Sequence, residues 1–131
     1  MGHQGPGATA AVASAVVEGV PVLHVTGEID MDTTRAVRRD LLEWLEGAGP
    51  AAVLDLTGVT FMASSGLALL AEIDQHTERS GTAFVIVATQ HSVLRPLRMT
   101  GMDEVFDLHS DVRDAALAVR GASEDTADLQ R

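Results

Sequence analysis

Two adjacent serines, Ser64 and Ser65, are the residues whose type and placement best suit chemistry. They follow an apolar run at 52–56, which predicts a buried strand, and they precede Gly66 and a segment with helical apolar spacing. A serine at a helix start caps unpaired N–H groups, and the positive end of the helix dipole also favours a phosphate there. A phosphoryl group on Ser65 would add about −1.5 to −2 charges without unfolding the domain. The spacing alone leaves two interpretations open, a pair of helix caps and a modifiable serine.

A catalytic interpretation of Ser65 would require a base held by a third group. The candidates are His24, His76 and His91, but no spacing couples any of them to the serine, and the motif lacks the first glycine of a Gly-x-Ser-x-Gly elbow. The five histidines also lack metal-binding spacing, and the Gly-x-Gly at 47–49 precedes a strand instead of following one. We therefore predict a protein that is not an enzyme, with no catalytic residue, no metal site and no cofactor.

The composition narrows the classes of partner. The chain has 131 residues, 46% of them hydrophobic, which predicts a single folded domain. Acidic residues outnumber basic ones 19 to 9, and the net charge of −10 argues against nucleic acid and favours a basic protein surface as partner. There is no cysteine, no secretion signal at the N-terminus, and no apolar run approaching the roughly 20 residues that span a bilayer. We predict a cytoplasmic protein without membrane contact, monomeric when free.

The order of periodic segments predicts the elements that position these residues. A hairpin of two strands comes first, and helices then alternate with short apolar strands between glycine-containing turns. Asp32 or Thr33 is suited to cap the first helix, and Ser92 the third. This pattern predicts a single α/β domain, a mixed sheet of about five strands with about four helices packed against it, and an antiparallel N-terminal strand at or near its edge. The predicted boundaries are a flexible segment at 1–10, the domain at 11–121 and a flexible acidic tail at 122–131.

The segment from Asp55 to Leu70 reads Asp-Leu-x-x-Val-x-Phe-Met-x-Ser-Ser-Gly-Leu-x-x-Leu and resembles the signature of the STAS domain, specifically of anti-sigma factor antagonists. In that family the serine immediately before the glycine is phosphorylated by a partner kinase, and it corresponds to Ser65. The segment Gly-Glu-Ile-Asp30, followed by Thr33 or Thr34, resembles a family loop that lies beside this serine and contributes to the partner surface. From this stretch alone, two interpretations of Asp30 stand equally: a residue of such a partner surface, and a solvated loop carboxylate or second cap.

The resemblance covers roughly residues 12–120 and implies a partner-switching mechanism. The unphosphorylated protein would bind an anti-sigma factor that is also a serine kinase, and a sigma factor would be released. The kinase would then phosphorylate Ser65 from ATP, the complex would dissociate, and a serine phosphatase would restore the first state. The implied partner surface consists of Asp30, Met62, Ala63, Ser64, Ser65, Gly66 and Leu67.

One residue departs from the family pattern, because an aspartate often stands in the family where this chain has Ala63. This departure leaves an alternative open. STAS domains also serve as phosphorylation-independent scaffolds of signalling assemblies and as accessory subunits of lipid-transport ATPases.

Overall fold

The computed structural model describes residues 9–129, which form a five-stranded sheet and four helices. The strands follow one another across the sheet in chain order, with β1 antiparallel to β2 and the remaining neighbours parallel. The predicted mixed α/β sheet with an antiparallel N-terminal strand at its edge is therefore confirmed. The elements are β1 (Ala10–Val17), β2 (Val20–Ile29), α1 (Thr34–Glu46), β3 (Ala51–Met62), α2 (Ser64–Ser80), β4 (Ala83–Val87), α3 (His91–Thr100), β5 (Leu108–His109) and α4 (Val112–Leu129).

Helices cover both faces of the sheet. Buried side chains of α1, α2 and α3 pack on one face, and those of α4 pack on the other. Within β4, Ile86 belongs to the first core, whereas Val85 and Val87 belong to the second, which explains the unbroken apolar run of this strand. Because β2, β3 and β4 are parallel, the segments that lead from them into α1, α2 and α3 meet at one edge of the sheet.

Strand β3 is longer than we predicted. We expected Thr57 and Gly58 to end it, whereas the strand continues to Met62 and absorbs the turn-forming residues where its register with β2 shifts. Glycine suits this position because a Cβ on Gly58 would lie 2.6 Å from Cγ2 of Thr26. The extension matters for function, since it carries the chain from the centre of the sheet to the start of α2.

The last strand is shorter than we predicted. We expected a strand from Met102 to Leu108, but Met102–Glu104 form a 3-10 turn and only Leu108–His109 pair with β4. The turn begins after Gly101, whose carbonyl accepts a hydrogen bond from the backbone N–H of Glu104. Hydrogen bonds within the turn therefore satisfy the backbone groups that we expected to pair with a neighbouring strand.

At both ends of the described chain, residues 9–129, the structure is more regular than we predicted. Strand β1 begins inside the segment 1–10, at Ala10, and the carbonyl of Thr9 accepts a hydrogen bond of 2.8 Å from the backbone N–H of Glu28. Residues 1–8 lie outside the described part of the chain. We expected 122–131 to be an aperiodic tail, whereas α4 continues to Leu129, and residues 130–131 lie outside the described part. Alanine and glutamate favour helix, and a nucleated helix gains one backbone bond with each residue added.

A bidentate ion pair joins α1 to α2 across their exposed sides. Nε of Arg38 lies 2.9 Å from Oε1 of Glu72, and Nη2 lies 2.6 Å from Oε2. These hydrogen bonds are the main reason that the pKa of Glu72 is lower than its ordinary value. A carboxyl whose pKa is lower in the folded protein than in the unfolded chain stabilises the fold when the pH is above its unfolded-state pKa. This stabilisation is lost as the pH falls through the folded-state pKa.

We expect Arg38→Gln to raise the pKa of Glu72 toward its ordinary value, because the substitution removes the charged donor. A carboxyl-carbon NMR titration of the wild type and the variant measures this directly. Arg39→Gln is the matched control, since Arg39 contacts Asp40 instead. An unchanged Glu72 titration in Arg38→Gln would show that the pair does not persist in solution.

Candidate functional site

The start of α2 is fixed against the end of β2 by backbone hydrogen bonds around Ala63. The N–H of Ala63 donates to the carbonyl of Ile29 at 2.9 Å, and its own carbonyl accepts the N–H of Gly66 at 2.9 Å. Ala63 occupies the N-cap position, and Ser64 and Ser65 are the first two residues of the helix. Within the described chain no side chain caps this helix, so the interpretation of the two serines as caps is wrong.

Ser65 instead contacts the start of α1. Its side chain is half-buried, and its Oγ lies 2.9 Å from Oγ1 of Thr34 at the start of α1. Thr34 donates its single hydroxyl proton to the carbonyl of Asp30, so Ser65 is the donor in the bond between the two hydroxyls. The serine proton is thus directed inward, and the adjacent Ser64 is exposed. The two serines therefore occupy different environments, which the sequence did not distinguish.

The loop that contains Asp30 is held by its own polar side chains. Oδ1 of Asp30 accepts hydrogen bonds from the backbone N–H groups of Asp32 (2.8 Å) and Thr33 (3.2 Å). Oγ1 of Thr33 donates to the carbonyl of Glu28 at 2.6 Å and accepts the N–H of Asp30 at 3.0 Å. Of Asp32 and Thr33, which we predicted as alternative caps of α1, Thr33 occupies the N-cap position, but its side chain makes no capping bond there. Asp30 thus braces this loop, and its contribution to a partner surface stays a prediction.

Gly66 allows α2 to approach the sheet closely. It is buried, and a Cβ at this position would lie 2.9 Å from both Cγ2 of Ile29 and Cγ of Met62. These contacts are shorter than ordinary van der Waals separations, and neither atom is the free end of a long side chain. The glycine is therefore required for packing that places Ser65 beside Thr34.

The apolar residues around the serine differ in their exposure. Met62, which we predicted to contact a partner, is only 5% exposed and packs in the core, and Leu67 is half-buried. Larger apolar surface comes from two residues that sequence reasoning missed, Met31 (86% exposed) and Phe61 (51% exposed). Met31 follows Asp30 and Phe61 precedes Met62, two residues that we predicted to lie in the partner surface. Their position next to these residues is the sequence signal that could have identified them.

Two of the three candidate histidines, His24 and His76, do not pair with Ser65 in the described part of the chain. Nδ1 of His24 lies 2.6 Å from Oδ2 of Asp55, and Oδ1 of this buried aspartate accepts hydrogen bonds from the N–H and hydroxyl of Thr57. This network braces β3 next to its register shift. His76 lies eleven residues after Ser65 on the same helix, about 16 Å along its axis. In the described part of the chain, neither His24 nor His76 is therefore paired with Ser65.

A second polar group joins β3 to α3. The side-chain amide of Gln90 donates to the carbonyls of Leu56 and Val59 at 2.6 and 2.7 Å, and the hydroxyl of Ser92 donates to Val59 at 3.0 Å. Ser92 therefore holds the strand, whereas we predicted it to cap the helix, and the N-cap residue is Gln90. These bonds fix the start of α3 against β3.

The fold and the site define a small α/β domain in which a serine at the start of one helix contacts the first residue of a neighbouring helix. Residues 11–115 match the family model of the STAS domain, and the chain belongs to that family. A protein of Mycobacterium tuberculosis named anti-sigma-F factor antagonist RsfB is 37% identical over 103 residues, which cover 79% of this chain and 84% of that protein. In the part of the chain that the structure describes, no helix combines the length and apolarity required to cross a membrane.

Solved structures agree with this assignment. The crystal structure of an anti-sigma factor antagonist from Mycobacterium paratuberculosis is 34% identical, with a TM-score of 0.78 over 86% of this chain and 95% of that chain. The anti-sigma factor antagonist SpoIIAA in its unphosphorylated form is 19% identical, with a TM-score of 0.69 over 85% and 97% of the two chains, and supports the fold alone. The family resemblance in the sequence is thus confirmed.

Proposed function

We propose that this protein is an anti-sigma factor antagonist that binds an anti-sigma factor with serine kinase activity and is inactivated by phosphorylation of Ser65. The observation that carries the proposal is the position of Ser65 at the start of α2, with its hydroxyl directed toward Thr34. The relatives named anti-sigma factor antagonists at 34% and 37% identity support the antagonist role. In this proposal the protein acts in the cytoplasm as a binding domain without a cofactor, and ATP belongs to the kinase.

Phosphorylation replaces a local hydrogen bond with a charge. Oγ of Ser65 attacks the γ-phosphorus of ATP, a new O–P bond forms, ADP leaves, and the serine proton passes to a base of the kinase. The bond from Ser65 to Thr34 is lost in this step. The dipole of α2 tolerates the phosphate, which contributes about 0.3–1 kcal/mol at a helix start, so the domain stays folded. A partner surface packed against the serine would then have to desolvate an anion.

A phosphatase would restore the hydroxyl by hydrolysis of the same O–P bond. The surface proposed to take part in this cycle is formed by Asp30 and residues 62–67, together with the exposed apolar side chains of Met31 and Phe61. Ala63 contributes its backbone to the helix start, and this role does not depend on its side chain. The alanine in place of the aspartate that is frequent in the family is therefore compatible with the geometry of the phosphorylated position.

The proposal is tested by intact mass after incubation with ATP, magnesium and the candidate anti-sigma factor kinases of the same genome. We expect one added phosphate on the wild type and none on Ser65→Ala. Ser64→Ala is the matched control and should accept the phosphate, because it leaves the hydroxyl of Ser65 in place. Phosphate that persists on Ser65→Ala would refute the assignment of the site. Neither binding nor transfer with any candidate would favour a scaffold or transport-accessory role.

A further inference from the structure

An apolar groove of about 390 Å³ lies between the end of β3, the start of α2 and α3. Its floor and walls include Phe61, Met62, Leu67, Pro96 and Met99. Two of these side chains are unusually exposed for their size, Phe61 at 51% and Met99 at 73%. Exposed apolar side chains that gather around a concave surface are typical of a site that another molecule covers.

The groove adjoins the serine of the proposed switch. Met62 and Leu67, which line it, stand immediately before and after the segment 63–66 that contains Ser65. The hydrogen bonds of Gln90 and Ser92 to the carbonyls of Leu56 and Val59 hold α3 against β3, the strand that leads into this segment. A protein that covers Ser65 is therefore well placed to contact the groove as well.

The charge beside the groove is opposite to that of the whole protein. The chain carries 19 acidic and 9 basic residues, yet α3 contains Arg95, Arg98 and His91 and no acidic residue. Arg95 and His91 line the groove, and none of its described lining residues is acidic. The guanidinium of arginine binds carboxylates through paired hydrogen bonds, so this margin is complementary to acidic side chains.

We propose that the groove docks a helix of the protein partner that presents apolar side chains along one face and carboxylates beside them. The residues of α3 that line the groove run from His91 to Thr100, and a surface of this length suits anchors at positions i, i+3 or i+4, and i+7 of such a helix. The inference adds the chemistry of the partner to the proposed function. It depends on that function only for the identity of the partner, because the groove exists whether or not Ser65 is phosphorylated.

Two synthetic helical peptides with the same leucine face test the groove directly, one with glutamate and one with lysine at its polar positions. Methionine methyl NMR reports the contact, since Met62 and Met99 line the groove whereas Met31 and Met102 do not. We expect the glutamate peptide to shift the Met99 signal saturably and to bind at least tenfold more tightly than the lysine peptide. The net charge of −10 would by itself produce the opposite preference, so the sign of the difference discriminates between the groove and general electrostatics.

Substitutions sharpen the result. Met99→Glu should weaken binding of the glutamate peptide at least tenfold, and Arg95→Glu should reverse the preference between the peptides. Val105→Glu is the matched control, since Val105 is 57% exposed but lies outside the groove, and it should leave the affinity unchanged. Preference for the lysine peptide, absence of a saturable shift at Met99, or shifts that depend only on protein concentration and so indicate self-association would each overturn the proposal.

The peptide titration and the phosphorylation assay together separate the docking groove from the phosphorylation switch. Ser65→Ala should eliminate phosphorylation and leave peptide binding intact. Peptide binding without phosphate transfer to the wild type would support the groove and contradict the switch. Phosphate transfer without any peptide contact at Met99 would support the switch and contradict the groove.

Discussion

Replacement of Ser65 by glutamate is expected to reduce the affinity for the proposed anti-sigma factor about a thousandfold. The hydroxyl of Ser65 is half-buried and contacts Thr34, which in turn is bonded to the carbonyl of Asp30. A carboxylate has to move away from these oxygen atoms and into the surface that the partner covers. A charge desolvated without a cationic partner costs several kcal/mol, and about 4 kcal/mol corresponds to three orders of magnitude in the dissociation constant.

Calorimetric titration of the wild type and Ser65→Glu with the partner measures this loss. Ser64→Glu is the matched comparison, because it places the same charge on the adjacent, exposed residue of the same helical turn, and a smaller loss than that of Ser65→Glu is expected. Both variants should unfold close to the wild type, since an acidic residue is favourable at a helix start. Undiminished binding by Ser65→Glu would contradict a switch based on charge, and equal losses in both variants would show that the position within the turn is unimportant.

Replacement of Gly66 by valine is expected to destabilise the folded protein by about 3 kcal/mol. The first atom of any side chain there would lie 2.9 Å from Ile29 and from Met62, and valine adds two further methyl groups in a buried position. The start of α2 would have to move away from the sheet. A loss of this size corresponds to a decrease in melting temperature of about 10 °C for a domain of this length.

Gly121→Val is the control for this experiment. Gly121 also lies within a helix, but a Cβ there would meet no atom within 4 Å, so a change within about 0.5 kcal/mol is expected. Thermal or denaturant unfolding of both variants gives the comparison. Because α2 positions Ser65 against Thr34, Gly66→Val should also slow phosphorylation at temperatures where the variant is still folded. Equal stability of the two valine variants would contradict the close packing of the helix start.

The difference between the two serines shows where a local pattern stops being informative. Both precede a helix and both are good capping residues by type, so the sequence predicted the same role for each. In the folded protein Ala63 provides the N-cap through its backbone, and Ser65 finds a partner 31 residues earlier in the chain. The resemblance to the STAS family selected Ser65, and the structure supplies a geometric distinction between the serines that is independent of that resemblance.

The sequence by itself determined the order of helices and strands, the two-sided burial of β4 and the mixed sheet, because these depend on apolar periodicity and on glycines at the ends of helices. The predicted ends of β3, β5 and α4 were wrong. At these ends, backbone hydrogen bonds to neighbouring elements or within local turns outweigh the preferences of the individual residues. Element boundaries follow hydrogen-bond partners, and many of those partners are distant in the chain.

Only the tertiary structure decided which polar groups meet. The bond between Ser65 and Thr34 and the pair of His24 with Asp55 each join residues 31 positions apart, and the groove combines side chains from β3, α2 and α3. Such contacts depend on the register of parallel strands and on the packing of helices across them, neither of which leaves a periodic signal along the chain. The sequence therefore specified the elements that surround the site, and their packing created its hydrogen bonds, its buried glycine and its groove.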